Sequence, residues 1–247
     1  MARLNETRIS ALLTEPFGGT FMRSAATTRH AEHGASVLVG LDCGVEVRGD
    51  DSTVRGRAVL VPPDVPYAAR CPGPVVSYTF DPELCPRVAA VARVHGGPRV
   101  LDGAAAAHVV GAVLAHRAEL SRPDVLAGIG VEAQRVLAHG TTRAPDRRIA
   151  QLVETLRDPS ENPAAAVTRT RLSAAHLQAL FARDIGIPMR TYRLWRRLLH
   201  ALAHVGPLDL TAAAHAADFA DLAHFSRTCR RMVGYAPSGL RANLVPR

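Results

Sequence analysis

The spacing of hydrophobic positions changes character part-way along the chain. Between residues 36 and 80 the apolar residues come in short runs: Ser36-Val-Leu-Val-Gly40, Val45-Glu-Val-Arg48, Ala58-Val-Leu-Val61 and Pro74-Val-Val-Ser-Tyr-Thr-Phe80. The runs are β-branched or alternating, and Gly, Pro and Asp separate them, which predicts strands joined by tight turns. Short strands at even spacing suit a sandwich or a small barrel. Asp50-Asp51 falls where a hairpin turn is needed. One more strand is expected near residues 9–14, and the rest of the first 22 residues carries no clear pattern. From residue 84 the period becomes helical. Residues 84–95, 103–120 and 123–139 place Ala, Val and Leu at helical spacing, with Val109-Val110 and Val113-Leu114 as a packing stripe in the second. The small, polar, Pro-containing stretch 140–145 reads as a linker.

Beyond it the helical pattern sharpens. Ile149, Leu152, Val153 and Leu156 fall at i, i+3, i+4 and i+7, with Asp146 placed to cap the helix start. Residues 159–163 break that helix. Two similar units then follow, offset by 48 positions: LSAAHLQALFARDIG from residue 172 and ADLAHFSRTCRRMVG from residue 220. Ser173 and Asp221 are good N-caps, because a short side-chain oxygen accepts from the free amides of the first turn. Gly186 and Gly234 suit the left-handed residue that ends a helix. Each unit therefore predicts a helix of roughly twelve residues. A short helix precedes each across a tight turn, over residues 164–170 and 211–217. Short helix, turn, second helix is the helix-turn-helix, whose second helix can lie in a DNA major groove. Residues 189–204 join the units as one helix. Tyr192, Trp195, Leu198, Leu199 and Leu202 give it an apolar side, and Arg193, Arg196 and Arg197 a basic one. Gly206-Pro207 ends it, and residues 237–243 predict a last short helix.

Composition and charge narrow the class. Hydrophobic residues make up 47% of the 247 positions and charged residues 21%, a soluble globular balance. No apolar core follows the charged first residues, so no signal peptide is expected. No apolar run reaches the ~18 residues of a membrane span, and even 104–115 is interrupted by His108. Cys43, Cys71, Cys85 and Cys229 are scattered, which fits a reduced, cytoplasmic chain. All 30 basic residues are Arg. Residues 1–140 hold 14 Arg and 14 acidic residues, whereas 141–247 hold 16 Arg and 8 acidic residues. The whole excess of +8 therefore sits with the helix-turn-helix units, as a polyanion partner would require.

The wording of the second unit is more specific than its period. Leu210-Thr-Ala-Ala-Ala214, Asp218-Phe219, His224-Phe225-Ser226-Arg227, Arg230-Arg231, Gly234 and the segment from Pro237 to Arg241 follow in order. These residues resemble the C-terminal signature of the AraC/XylS family of transcription regulators. Ser173, Leu177, Leu180-Phe181, Gly186 and Tyr192 fit the family's upstream unit, and Arg197 and Ala201 fit its linker helix. Four positions depart from the pattern: Asp218 replaces Gly, Cys229 replaces Phe, Leu240 replaces Tyr and Ala179 replaces a common Arg. In the first half, Gly56, Pro62, Asp64 and Tyr67 stand at the spacing of the second cupin motif, with Asp for Gly and Tyr for His. Asp81-Pro82-Glu83 resembles the end of the same regulators' sensor domains.

The resemblance implies a two-domain α+β chain. Residues 1–140 would form a cupin-like β-barrel with helices that cover the sheet or dimerise, acting as sensor. Residues 146–247 would form an all-α domain of two helix-turn-helix units joined by a linker helix. It implies a ligand-responsive, sequence-specific transcription regulator rather than an enzyme. Its partners would be double-stranded DNA, a small-molecule effector, a second copy in a homodimer and RNA polymerase, with no membrane and no cofactor.

Candidate residues follow from helical phase. The outward positions are Ala175, His176, Gln178, Ala179 and Ala182 in unit one, and Leu222, Ala223, Ser226, Arg227 and Arg230 in unit two. Gln178 can pair with adenine, and Arg227 with guanine or phosphate. Arg193 and Arg196 are candidates for phosphate contact. His30, His33 and Tyr67 are candidates to line an effector cavity. His30 and His33 also lie where the first cupin motif supplies metal ligands. Three protein ligands are the usual minimum for a catalytic metal and Tyr67 replaces the next histidine, so no metal is expected. Two alternatives stay open: a cupin-type metalloenzyme with an accessory helical domain, and a degenerate regulator that binds a protein partner. No G-x-S-x-G elbow, P-loop or dinucleotide fingerprint is present.

Overall fold

A computed structural model describes residues 10–14, 16–139, 142–158, 162–205 and 208–241. The expected linker start at 140–141, the break at 159–161, the helix stop at 206–207 and the last residues of the expected final helix, 242–243, lie outside the described residues. So does residue 9 of the first expected strand.

One antiparallel sheet runs in the order β1 (Ser10–Thr14), β2 (Phe17–Met22), β9 (Val75–Phe80), β4 (Ala35–Gly40), β7 (Ala58–Val61) and β10 (Arg99–Val100). A second runs β3 (Ala25–Ala26), β8 (Ala68–Cys71), β5 (Val45–Arg48) and β6 (Thr53–Gly56). The two face each other across a shared apolar layer, as the expected sandwich or small barrel would. β4 and β7 are buried at every residue because both of their faces are covered. Leu38, Val59 and Val61 point into the layer between the sheets with Val45, Val47 and Tyr67. Val37, Leu60, Tyr78 and Phe80 point the other way, onto α1 (Pro86–Arg93), α2 (Gly103–Ala115) and α3 (Pro123–Leu137). The helices after the sheet thus cover it. β2 escaped the pattern because of Gly18-Gly19. Gly19 lies under the Tyr78 ring, where a Cβ would come within 3.0 Å. On α3, a Cβ at Gly130 would collide with the Phe17 ring.

The remaining helices are α4 (Arg147–Arg157), α5 (Pro163–Arg169), α6 (Ala174–Ile185), α7 (Met189–His204), α8 (Leu210–Ala216), α9 (Leu222–Val233) and α10 (Pro237–Arg241). Pro163 was expected within a helix break. It instead opens α5, at the position where a missing N–H costs nothing, with Asn162 as N-cap. Unit one packs Leu177, Leu180, Phe181 and Ile185 on Ile149, Leu152 and Val153 of α4 and on Tyr192. Unit two packs Phe225, Cys229 and Met232 on Ala213, Ala214, Phe219, Trp195, Leu198 and Leu202. α7 therefore gives its first turn to one core and the rest to the other. Cys229 is fully buried and burial pushes its thiol up to about 12, as fits an inert packing residue.

Each unit makes its turn through a left-handed residue that is not glycine: Arg171 at φ 53° and Asp218 at φ 57°. Such a conformation crowds Cβ against the backbone, and Asp tolerates it better than Arg. Replacing either with Gly should therefore raise stability, Arg171→Gly by about 1 kcal/mol and Asp218→Gly by about half that. Urea unfolding of the two variants checks both the direction and the order.

Candidate DNA-binding face and ligand cavity

The recognition helices are framed alike. The Ser173 hydroxyl accepts from the amide of His176 at 3.3 Å, and the Asp221 carboxylate from that of His224 at 2.6 Å. Gly186 and Gly234 end the two helices at φ 95° and 76°. With one face of each helix committed to a core, Ala175, His176, Gln178 and Ala179 stand exposed on α6, and Ala223, Arg227 and Arg230 on α9. Ser226 is half-buried beside them. No described carboxylate pairs with Arg227 or Arg230, so both guanidinium groups are available to an anion. Leu222 departs from its expected outward place: it is half-buried and packs on the unit-two core.

The basic side of α7 also departs from expectation. Arg196 is only 16% exposed and lies 3.8 Å from Asp81, on the sheet side of the molecule. Arg193 is exposed, yet it lines the same cavity as Arg196. Arg197 sits over the Phe219 ring at 5.9 Å. Helical phase places these three together; what they face depends on the sheet region packing against α7, which no local pattern records.

Between the sheets and α7 lies a cavity of about 670 Å³. Met22, Leu38, Trp195, Leu199, Leu202 and Leu240 give it apolar walls. Its volume falls within the usual range for small-molecule sites, ~300–1,000 Å³. His30, His33 and Tyr67 all line it. The rings of His30 and Tyr67 lie 4.3 Å apart, tilted by 49°, and the two segments carrying them exchange backbone hydrogen bonds. Tyr67 donates to Glu32 at 3.2 Å. Glu32, Asp81 and Arg157 also line the cavity. Glu32 carries no mark in the sequence, Arg157 reads as the exposed end of an amphipathic helix, and Asp81 was marked only as the close of the sheet region.

His33 has both ring nitrogens committed, Nδ1 to Asp64 and Nε2 to Glu83, each at 2.8 Å. Its lone pairs are thus not presented to a metal, and among the described residues no group of three His, Cys, Asp or Glu is arranged to hold one. Burial opposes a charge on His33, but the two carboxylate hydrogen bonds outweigh it and push the imidazole up to about 9. Burial is the largest influence on Glu83 and pushes its carboxyl up to about 7. Asp81, beside them, pairs with Arg157 at 3.0 Å.

The C-terminal half of the chain also touches the sheets directly. The amides of Thr28 and Ala31 donate to the carbonyls of Gly234 and Arg231, at the end of α9, both at 3.1 Å. Thr28 Oγ1 donates to the same Gly234 carbonyl at 3.1 Å. Tyr235 and Leu240 pack into the core between the sheets.

Two capped helix-turn-helix units on a shared helix are thus joined to a double-sheet region with a cavity. A family model described as Helix-turn-helix domain matches residues 166–243. Comparison with curated protein sequences finds no match. Among solved structures, the chain is similar to ToxT from Vibrio cholerae O395, with TM-score 0.57, 11% identity, and coverage of 95% of this chain and 100% of that one. It is similar also to unsaturated fatty acid bound wild-type ToxT from Vibrio cholerae strain SCE256, with TM-score 0.55, 12% identity, and coverage of 99% and 98%. At this identity the likeness shows a common two-domain fold. No helix among the described residues is long and apolar enough to cross a membrane.

The buried pair sets a pH dependence. His33 is raised in the folded state, so its contribution is complete below about pH 6.5 and is lost as pH rises through about 9. Glu83 is raised too, so folding favours its protonated form, and that contribution fades as pH rises through about 7. Both act in one direction: the thermal unfolding midpoint should fall from about pH 4.5, where a free Glu titrates, to about pH 9, with Glu83 setting the lower part and His33 the upper. His33→Gln should flatten the upper part of that fall, removing a term of at most about 3 kcal/mol. Circular dichroism melts across the range check it.

Proposed function

We propose that this chain is a sequence-specific DNA-binding transcription regulator of the AraC/XylS type, whose state depends on a small molecule held in the cavity. The observation that carries the proposal is the pair of equivalently capped recognition helices on one connecting helix, each with an outward face free of packing. α6 presents Ala175, His176, Gln178 and Ala179 to one major groove; α9 presents Ala223, Ser226, Arg227 and Arg230 to the next. Gln178 suits adenine, and Arg227 suits guanine or a phosphate. Leu222 and Arg196 drop out of this set because they pack inward, and Arg193 is assigned to the cavity.

The effector half of the proposal is supported by the cavity itself. Its walls are mostly apolar, with arginines on the α7 side, and His30 and Tyr67 stand on the sheet side. ToxT binds an unsaturated fatty acid, and ToxT from Vibrio cholerae O395 binds (E)-4-(8-methylnaphthalen-1-yl)but-3-enoic acid. A small, largely apolar molecule fits the cavity here. Val233, Tyr235 and Leu240 line the cavity at and beyond the end of α9. Occupancy thus bears on the second recognition helix directly.

Selection from a random-sequence DNA library at two salt concentrations tests the DNA half. The expected result is an enriched site with two half-patterns one helical turn apart, about 10–10.5 bp. Arg227→Ala should relax the unit-two half and weaken binding by about 1–3 kcal/mol. Binding that falls steeply with salt yet enriches no sequence would reduce the basic region to a phosphate holder and overturn the proposal.

A further inference from the structure

The sheet wall of the cavity carries one acid that the rest of the protein does not neutralise. Glu32 lies in the segment between β3 and β4, and its Oε2 accepts three hydrogen bonds. Ser36 Oγ donates at 2.7 Å, Tyr67 Oη at 3.2 Å and Thr79 Oγ1 at 3.2 Å. All three donors are neutral hydroxyls. No described residue donates to Oε1, and no described Arg or His forms an ion pair with this carboxylate. The neighbouring cations are taken up elsewhere. His33 is held between Asp64 and Glu83, and Arg157 and Arg196 face Asp81. His30 is turned to the Thr28 carbonyl through Nδ1 at 2.8 Å. Met22, Ala25 and Leu38 belong to the apolar wall of the same cavity.

A carboxylate facing an apolar cavity without a cation is unfavourable, and a donor that brings positive charge relieves it. The three hydroxyls fix the direction of the group in advance, so a ligand donor meets an oriented acceptor. Charge-assisted hydrogen bonds are about twice as strong as neutral ones. An acid head placed at the same spot would meet a like charge.

We propose that Glu32 is a ligand-recognition residue, and that the cavity takes an apolar molecule bearing an amino group, seated as an ammonium on Glu32 Oε1. The proposal rests on the effector reading of the cavity and names the ligand class. The hydrocarbon runs along Leu38, Trp195 and Leu199. An acid at the far end, where the ligand has one, meets Arg193, the cavity arginine that no described carboxylate or ring engages. A plain fatty acid satisfies the basic side only and leaves Glu32 unmatched; an amino-terminated chain satisfies both.

Trp195 lines the cavity and is the one tryptophan of the chain, so its fluorescence reports occupancy. Titration with decanoate, decylamine and 10-aminodecanoate compares an acid, an amine and a molecule with both groups on chains of equal length. The expected result is that 10-aminodecanoate binds about 10-fold or more tightly than decanoate, the range of one charge-assisted contact. Glu32→Gln should erase that preference while decanoate binds at least as well as before. Should Glu32→Gln fail to fold, Ser36→Ala loosens the hold on Oε2 and should weaken the two amines but not decanoate. Equal or tighter binding of decanoate, indifferent to these substitutions, overturns the proposal and leaves the cavity standing as an effector site. Silence of Trp195 toward all three probes overturns both.

Discussion

Charged side chains buried where the sheet region meets the helical region govern how the two halves sit together. Asp64, Asp81 and Glu83 come from the sheet side with His33; Arg157 and Arg196 come from α4 and α7. Three acids thus meet three bases where water is scarce. Taking such groups out of water costs about as much as their attraction returns, so the cluster contributes little net stability. Its effect is on specificity. Any other docking of the halves would strand several buried charges, each loss costing about 3–5 kcal/mol. Tyr192 and Trp195 of α7 meet the His33 ring edge-on at 5.7 and 6.4 Å, so the same cluster also fixes the rotation of α7. Because α7 belongs to both helix-turn-helix cores, fixing α7 fixes the frame that carries both recognition helices.

A second constraint acts at the end of α9. The last carbonyls of a helix need partners, and a left-handed glycine supplies only part of the answer. Here amides of Thr28 and Ala31 complete it, so the end of a recognition helix is finished by residues of the sheet region. Gly234 is required twice over: its φ is positive, and a Cβ there would press on His30 and Thr27. The residues that follow, Tyr235 and Leu240, fill space between the sheets. Backbone hydrogen bonds and packing therefore tie the end of α9 to the wall of the cavity.

Much of this architecture was legible in the sequence. Strand runs such as 36–40 and 58–61, the amphipathic stripe of α4 and both pairs of helix caps follow from period and capping chemistry, which act within a few residues. The strand β2 was hidden because its glycines answer to Tyr78, a partner far along the chain. Two departures from family patterns also have a local reading. Asp64 and Asp218 each stand where glycine is usual, and both adopt positive φ, 65° and 57°. Aspartate is among the few side chains that tolerate this region, so the turns survive the substitution. The cavity was legible only in part. His30, His33 and Tyr67 were marked by motif spacing, whereas Glu32, Asp81 and Arg157 matter through partners that only the assembled halves bring near.

The basic excess of the second half has to be divided accordingly. Net charge by region pointed to DNA, and the exposed Arg227 and Arg230 remain consistent with that use. Arg157 and Arg196, however, face acids of the neutral first half, and Arg193 and Arg197 lie along the cavity. Part of the positive charge of the helical region therefore answers the sheet region and the cavity, and the charge free to meet phosphates is smaller than the sequence total. In the proposed complex a smaller electrostatic share would leave more of the affinity to contacts of α6 and α9 with base edges, where sequence is read. The same division makes arginine, with its planar fork, more useful than lysine at the junction, since it can hold two acceptors at once in a buried site.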